Sequence, residues 1–219
     1  MATNFPASLD SLTNPSSSDS LNSPSHSAQH ANVNDAVEAL QAKVGADSSG
    51  VASSHDYKIA QLEAISHGKI LQVVSTTKTD GFTTTSTSMV DVTGLSVVIT
   101  PSSATSKVLI VAMVSMSANT AANEGFGQIV RDSTPIALAD ASGSRTRATF
   151  GSDVAGDVAH NSVSVLFLDS PATTSATTYK IQVQSNTSGT VAVNRGYNDS
   201  NVSTRGRTVS TITVLEVGA

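Results

Sequence analysis

Lys107-Val108-Leu109-Ile110-Val111-Ala112-Met113-Val114-Ser115-Met116-Ser117 is the stretch on which the fold turns. Residues 108–114 are the longest uninterrupted apolar run in the chain, seven residues, where a membrane-spanning helix needs about 20. Bounded by Lys and Ser, so short a run reads as a β-strand, and one apolar on both sides leaves no face for water. One face therefore belongs in a core and the other at a subunit interface. Working outward from it, side chains alternate with a period of two at 69–76, 95–100, 107–117, 127–131, 162–168, 178–185, 190–195 and 208–217. Pro, Gly, Asn, Asp and Ser-Thr clusters separate these stretches, as turns do. Such a series predicts an antiparallel β-sandwich of jelly-roll-like type over residues 69–219. Aromatic residues are scarce, Phe126, Phe150, Phe167 and Tyr179 among them. The core is left to Val, Ile, Leu and Met, and a sandwich so built gains from oligomerisation.

Composition agrees with the strands. The 219 residues include 36 Ser and 26 Thr, residue types that suit strands, turns and polar linkers better than helices. Twelve Lys plus Arg stand against 17 Asp plus Glu, a formal net charge of -5. That balance cannot neutralise many phosphates, so nucleic acid is not an expected partner. With no Cys, disulfides, thiolate metal sites and a Cys nucleophile are excluded. Residues 1–24 contain neither Lys nor Arg nor a continuous apolar stretch, so neither a secretory signal nor membrane insertion is expected.

Residues 1–27 hold too little apolar content to offset the entropy of ordering alone. They carry a small repeat, however: Ser8, Asp10, Ser11, Leu12 and Pro15 recur nine residues on as Ser17, Asp19, Ser20, Leu21 and Pro24. In each station Asp forms a local turn, Leu offers an apolar anchor and Pro enforces an extended exit. Two equal stations read as a strap laid along another protein, with Phe5, Leu9, Leu12, Pro15, Leu21 and Pro24 as its docking residues. The alternative is a low-complexity tail.

Residues 28–68 read as a helical stalk. Ser23 can cap a helix with Pro24 in its first position, or the helix can start at Asn32 with Asp35 three residues on. Val33, Val37, Leu40 and Val44 recur at spacings of four and three, the narrow seam of a coiled coil rather than the wide stripe of a core helix. Gly45 ends it, and a Gly-Ser-Ala break follows near 45–53. A second helix starts at Ser53, with Asp56 completing a capping box, Ile59 and Leu62 as seam residues and Gly68 as terminator. Helices this short are marginal alone in water, so they must associate, most simply with copies of themselves.

His26 and His30 fall on the same seam positions when the heptad is stepped back from Val33 and Val37. Pointing inward in a parallel oligomer, they form stacked imidazole rings able to hold an anion or metal, or to loosen the bundle on protonation; lying before the helix, they contact a docking surface or water. Elsewhere the sequence assigns no catalytic residue, no metal site and no cofactor. Glutamate occurs only at 38, 63, 124 and 216, and nothing in the spacing selects Glu124 with Asp153 or Asp157 as a glycosidase pair. No Gly-x-Ser-x-Gly, Walker loop, dinucleotide fingerprint or His-Glu-x-x-His occurs. For recognising sugar, the best stretch is Asn194-Arg195-Gly196-Tyr197-Asn198-Asp199-Ser200-Asn201. There Tyr197 can stack on a pyranose while Arg195, Asn198 and Asp199 bond hydroxyls. Turn chemistry explains the same residues without a ligand. Arg205 and Arg207, flanking Gly206, add donors to that face or keep an edge soluble.

The run Asn4-Phe5-Pro6, Leu9-Asp10-Ser11-Leu12, Asn14-Pro15, Ser23-Pro24-Ser25-His26, Gln29-His30, Asn34-Asp35-Ala36-Val37-Glu38-Ala39-Leu40-Gln41 and Lys43-Val44-Gly45 resembles an N-terminal module that recurs in tailed-bacteriophage virion proteins. Leu168-Asp169-Ser170-Pro171-Ala172-Thr173-Thr174-Ser175-Ala176-Thr177-Thr178-Tyr179 and the closing Ser210-Thr211-Ile212-Thr213-Val214-Leu215-Glu216 resemble β domains at the ends of phage fibre-like proteins. The resemblance implies a non-enzymatic homotrimer: an anchoring peptide at 1–27, a short coiled coil at 28–68 and a distal sandwich of complement or tumour-necrosis-factor type at 69–219. Its implied partners are another virion protein, whether of capsid, portal, collar or tail, and a host surface glycan; its implied place is the virion, assembled in the host cytoplasm. The stalk is far shorter than in a long fibre, which favours a compact spike, knob or decoration. Against this stand two competing expectations, a capsid decoration or cement protein and a surface-glycan hydrolase.

Overall fold

The computed structural model describes residues 18, 25–64, 68–118, 124–152, 160–187 and 189–218. The docking residues Phe5, Leu9, Leu12, Pro15, Leu21 and Pro24, together with Ser23, Asp153 and Asp157, lie outside them. The chain divides into two units, Met1–Ser66 and His67–Ala219.

The first unit contains two helices, α1 (His26–Val44) and α2 (His55–Ala64). Ser25, in extended conformation, caps α1 by accepting the Ala28 N–H at 3.1 Å. The helix therefore starts later than Pro24 and earlier than Asn32, because it is the Ser25 hydroxyl that reaches an orphan N–H of the first turn. Gly45 closes it at φ 90°, donating its N–H to the Gln41 carbonyl. The glycine is required twice over, since a Cβ here would sit 2.9 Å from the Ser54 side chain. The connection then turns tightly: the Ser49 N–H donates to the Asp56 carboxylate at 2.8 Å and the Ser54 hydroxyl to the Val51 carbonyl at 2.8 Å. Ser54, fully buried, also accepts the Tyr57 N–H. The cap of α2 is thus Ser54 rather than Ser53, and Asp56 serves the preceding turn instead of a capping box. Gly68 does not end α2. It stands at φ 75° and donates its N–H to the Gly218 carbonyl, where the second unit begins to pair.

The second unit is mainly β, two antiparallel sheets facing each other across one hydrophobic core in the manner of a β-sandwich. The first sheet has the order β1 (Ile70–Lys78), β11 (Ser210–Val217), β4 (Lys107–Ala118), β10 (Val191–Val193), β2 (Phe82–Thr84), with β8 (Asn161–Asp169) on the other side of β4. The second has β3 (Val90–Ile99), β9 (Thr177–Ser185), β5 (Gly125–Arg131) and β6 (Thr134–Ile136), with β7 (Phe150–Ser152) beside β5. Strand alternation puts Val108, Ile110, Ala112 and Val114 of β4 and Ile212 and Val214 of β11 against Leu95, Val97 and Ile99 of β3 and Tyr179, Ile181 and Val183 of β9.

Two buried carboxylates at the sandwich margins are held by several donors each. The Glu216 carboxylate, fully buried, accepts from Gln72 Nε2 at 2.6 Å and from the Ser102 N–H and hydroxyl at 2.7 and 2.6 Å. Burial pushes its pKa up, but these donors outweigh burial and hold it down at about 2. Tyr179 donates its hydroxyl to Asp169 at 2.7 Å, and Arg131 grips both Asp169 oxygens at 2.9 Å. Burial first, then the Asp169 contact, raises the phenol well above its usual range.

Candidate functional site

Two surfaces stand out, each an apolar face left exposed: the one stripe of α1 and the second, outer face of the first sheet. On α1, no residue is buried, and Val33, Val37, Leu40 and Val44 are each about half exposed, between 46% and 52%. Leu40 and Val44, with Gln41, Gly45 and Ala46, also border an open, largely apolar recess of about 390 Å³. The seam residues of α2, Ile59 and Leu62, are exposed as well. His26 and His30 are exposed at the start of α1, with their Nε2 atoms 3.0 Å apart and the rings edge to face.

The larger surface is the outer face of the first sheet. Register aligns Val73, Leu215, Leu109 and Leu168 in one row across β1, β11, β4 and β8. The adjacent row is Ser75, Thr213, Val111 and Leu166. On the far side of the first row lie Ile70 and Val217, paired with each other. Leu166 is 71% exposed on the flanking strand β8 and Val73 57% on the flanking strand β1, and between them Val111 of β4 is 41% exposed. Toward the opposite end the face becomes hydroxylic, with Thr77, Thr211 and Ser164 in one row around Met113. Lys107, at the edge, is its charged member and donates to Ser170. A face whose charge is confined to one edge tolerates its own copy, since the apolar residues of its centre meet near a symmetry axis without like-charge repulsion.

The loop after β10 is organised differently, with its polar groups mostly engaged with one another. Asn194, buried at φ 63°, donates from Nδ2 to the Lys78 and Asp80 carbonyls at 2.8 and 3.0 Å and accepts from the Ser210 hydroxyl at 2.6 Å. It is a structural hub, which sequence reading placed among the sugar-facing residues. Arg195 lies 3.4 Å from Asp199, and Arg207 meets the same carboxylate at 2.7 Å. Both arginines lie over Gly81, where a Cβ would come within 3.0 Å of each. Asn198 Oδ1 accepts from Ser200, and Tyr197 is half-buried. Arg207 thus joins the Arg195–Asp199 group, while Tyr197 presents only part of its ring. On the other side of the sandwich, exposed Glu124 borders a recess with Phe126, Gly151 and Ser152. Among the described residues, no cluster of three or more metal-ligating side chains occurs within one chain.

The class these features define is a two-sheet β-sandwich protein with unpartnered apolar surfaces on both its helical and its β unit. No protein-family model and no curated protein matches the sequence. Among solved structures it is similar to that of the infectious bursal disease virus Gx strain, at 15% identity and a TM-score of 0.37, over 68% of this chain and 37% of that one. It is also similar to the infectious bursal disease virus VP2 subviral particle, at 15% identity and a TM-score of 0.28, over 68% of this chain and 38% of that one. The chain thus spans well under half the length of either. Likeness of that order leaves function to be argued from this chain's own residues.

Proposed function

We propose that this chain is a structural, non-enzymatic protein of a bacteriophage particle. It is a short homotrimeric spike or knob, docked to another virion protein by residues 1–27, projecting its β unit outward for attachment to a host surface. The observation that carries the reading is the uncovered outer face of the first sheet. Soluble monomers rarely expose contiguous apolar patches beyond a few hundred Å². Covering the remaining exposed part of side chains such as Val73, Val111, Leu166 and Leu168 contributes roughly 1 kcal/mol each. Set against an association cost of about 4–15 kcal/mol, the sheet face alone is marginal, and the α1 seam supplies the second contact. The occupant proposed for both surfaces is a further copy of this chain; the count of three comes from the resemblance of the N-terminal and C-terminal motifs to phage virion proteins.

The experiment is reconstitution. Purified full-length protein is added to particles lacking it, alongside a variant deleted for residues 1–22, which keeps the Ser25 cap. Binding by the full chain and none by the deletion supports docking through the strap; equal binding contradicts it. Particles that become more heat-resistant while host attachment is unchanged would instead make the protein a cement. Glycan release that disappears in Glu124→Gln would make it a hydrolase.

A further inference from the structure

His26 and His30 occupy the first two turns of α1, one helical turn apart, and no acidic side chain shares the first turn. Their Nε2 atoms approach to 3.0 Å as a hydrogen-bonded pair, so two lone-pair positions converge on one proton. Two nitrogens bound to one metal at about 2.1 Å lie about 3.0 Å apart if they are neighbours at right angles and about 3.4 Å apart if tetrahedral. The observed separation is that of a right-angled edge. Both residues also fall on the heptad positions that continue the seam of Val33, Val37, Leu40 and Val44, so association through that seam turns every copy's pair toward one axis. Three such edges from three chains make six imidazole nitrogens, the ligand number of an octahedron.

We propose that the N-terminal end of the α1 bundle binds one six-coordinate divalent transition-metal ion per trimer, held by His26 and His30 of all three copies. Imidazole suits first-row ions of this kind, and with no Cys in the chain and no carboxylate in the first turn of α1, nitrogen is the donor set among the described residues. To ligate, each ring takes its Nδ1–H tautomer, so the shared Nε2 proton passes through solvent to Nδ1 and none is released overall. The positive end of the α1 dipole opposes a cation. One chain's pair therefore holds the ion weakly, and tight retention requires the other copies. The inference rests on the self-association proposed above.

The test loads full-length protein with Co²⁺, dialyses it against metal-free buffer, and measures cobalt per chain, visible absorption and sedimentation mass on the same sample. The expected result is one cobalt per three chains with the weak absorption of six-coordinate Co²⁺, lost in the His26→Ala/His30→Ala double variant. A trimer that retains no cobalt, or equal retention by the double variant, overturns the site and leaves the assembly standing. A monomer under both conditions overturns the assembly and the shared site with it. Intense blue absorption at one cobalt per chain also overturns it, as a four-coordinate ion on a single copy.

Discussion

The two units of this chain solve the same problem in opposite ways. The β unit buries one face of each sheet internally, so that Ile181, Val183, Ile212 and Val214 are fully enclosed. The helices bury nothing, and every seam residue of α1 keeps about half its surface in water. The first therefore has a core of its own, and the second has only half of one. The outer face of the first sheet belongs with the helices: its Val73, Val111, Leu166 and Leu168 are well exposed although they sit on ordered strands. Apolar content alone does not distinguish the two cases; what lies opposite does.

That contrast can be broken most forcefully inside the β core. Ile181→Ala removes a fully buried side chain and is expected to lower stability in urea titration by about 2–5 kcal/mol. Leu40→Ala in α1 is expected to leave the β transition in place and weaken association instead. If Leu40→Ala costs the β unit as much as Ile181→Ala, the helices are part of one folding core and the contrast fails.

Next in size is acid. The Glu216 pKa is about 2, below the ordinary 4.5. Its carboxylate therefore stabilises the fold fully above about pH 4.5, and the contribution is lost as pH falls toward 2. The loss is on the order of 3 kcal/mol. Glu216→Gln should be less stable at neutral pH and flatter between pH 4.5 and 2 in thermal melts; a parallel pH profile would remove Glu216 from the account. Asn194→Ala removes the side-chain donor to the Lys78 and Asp80 carbonyls and the acceptor of the Ser210 O–H, a loss of about 1–3 kcal/mol by urea titration. Smallest is Asp91→Ala, which breaks the exposed pair with Lys180. It should change stability by no more than about 1 kcal/mol, with the effect shrinking in high salt.

Much of the sandwich was legible because alternation is a local property. Residues 107–117 and 178–185 coincide closely with β4 and β9. The short strands β2, β6 and β7, three residues each, carry too few positions for a period to register, and neighbouring strands define them. In β3 the sequence pattern shows only 95–100, since Gly94 has no side chain to carry the alternation further back. The structure absorbs the glycine at φ 80°, within the register shift between Asp91 and Ser96, and the strand begins at Val90. The outer face of the first sheet was visible only as the two-sided run 108–114. Its full extent depends on bringing Val73, Leu215, Leu109 and Leu168 into one row, and that register is set by long-range pairing that no local pattern records. The loop at 194–201 shows the converse: its composition suits sugar recognition, yet Asn194, Arg195 and Asp199 are engaged within the fold.

The central claim is that the uncovered surfaces of α1 and of the first sheet are covered by further copies of this chain. Sedimentation equilibrium of the full-length protein at micromolar concentration measures it most directly. The account predicts a mass of three times the 22.3 kDa chain, falling toward the single-chain value in a variant carrying both Leu40→Lys and Leu166→Lys. A wild-type mass of 22.3 kDa would contradict it.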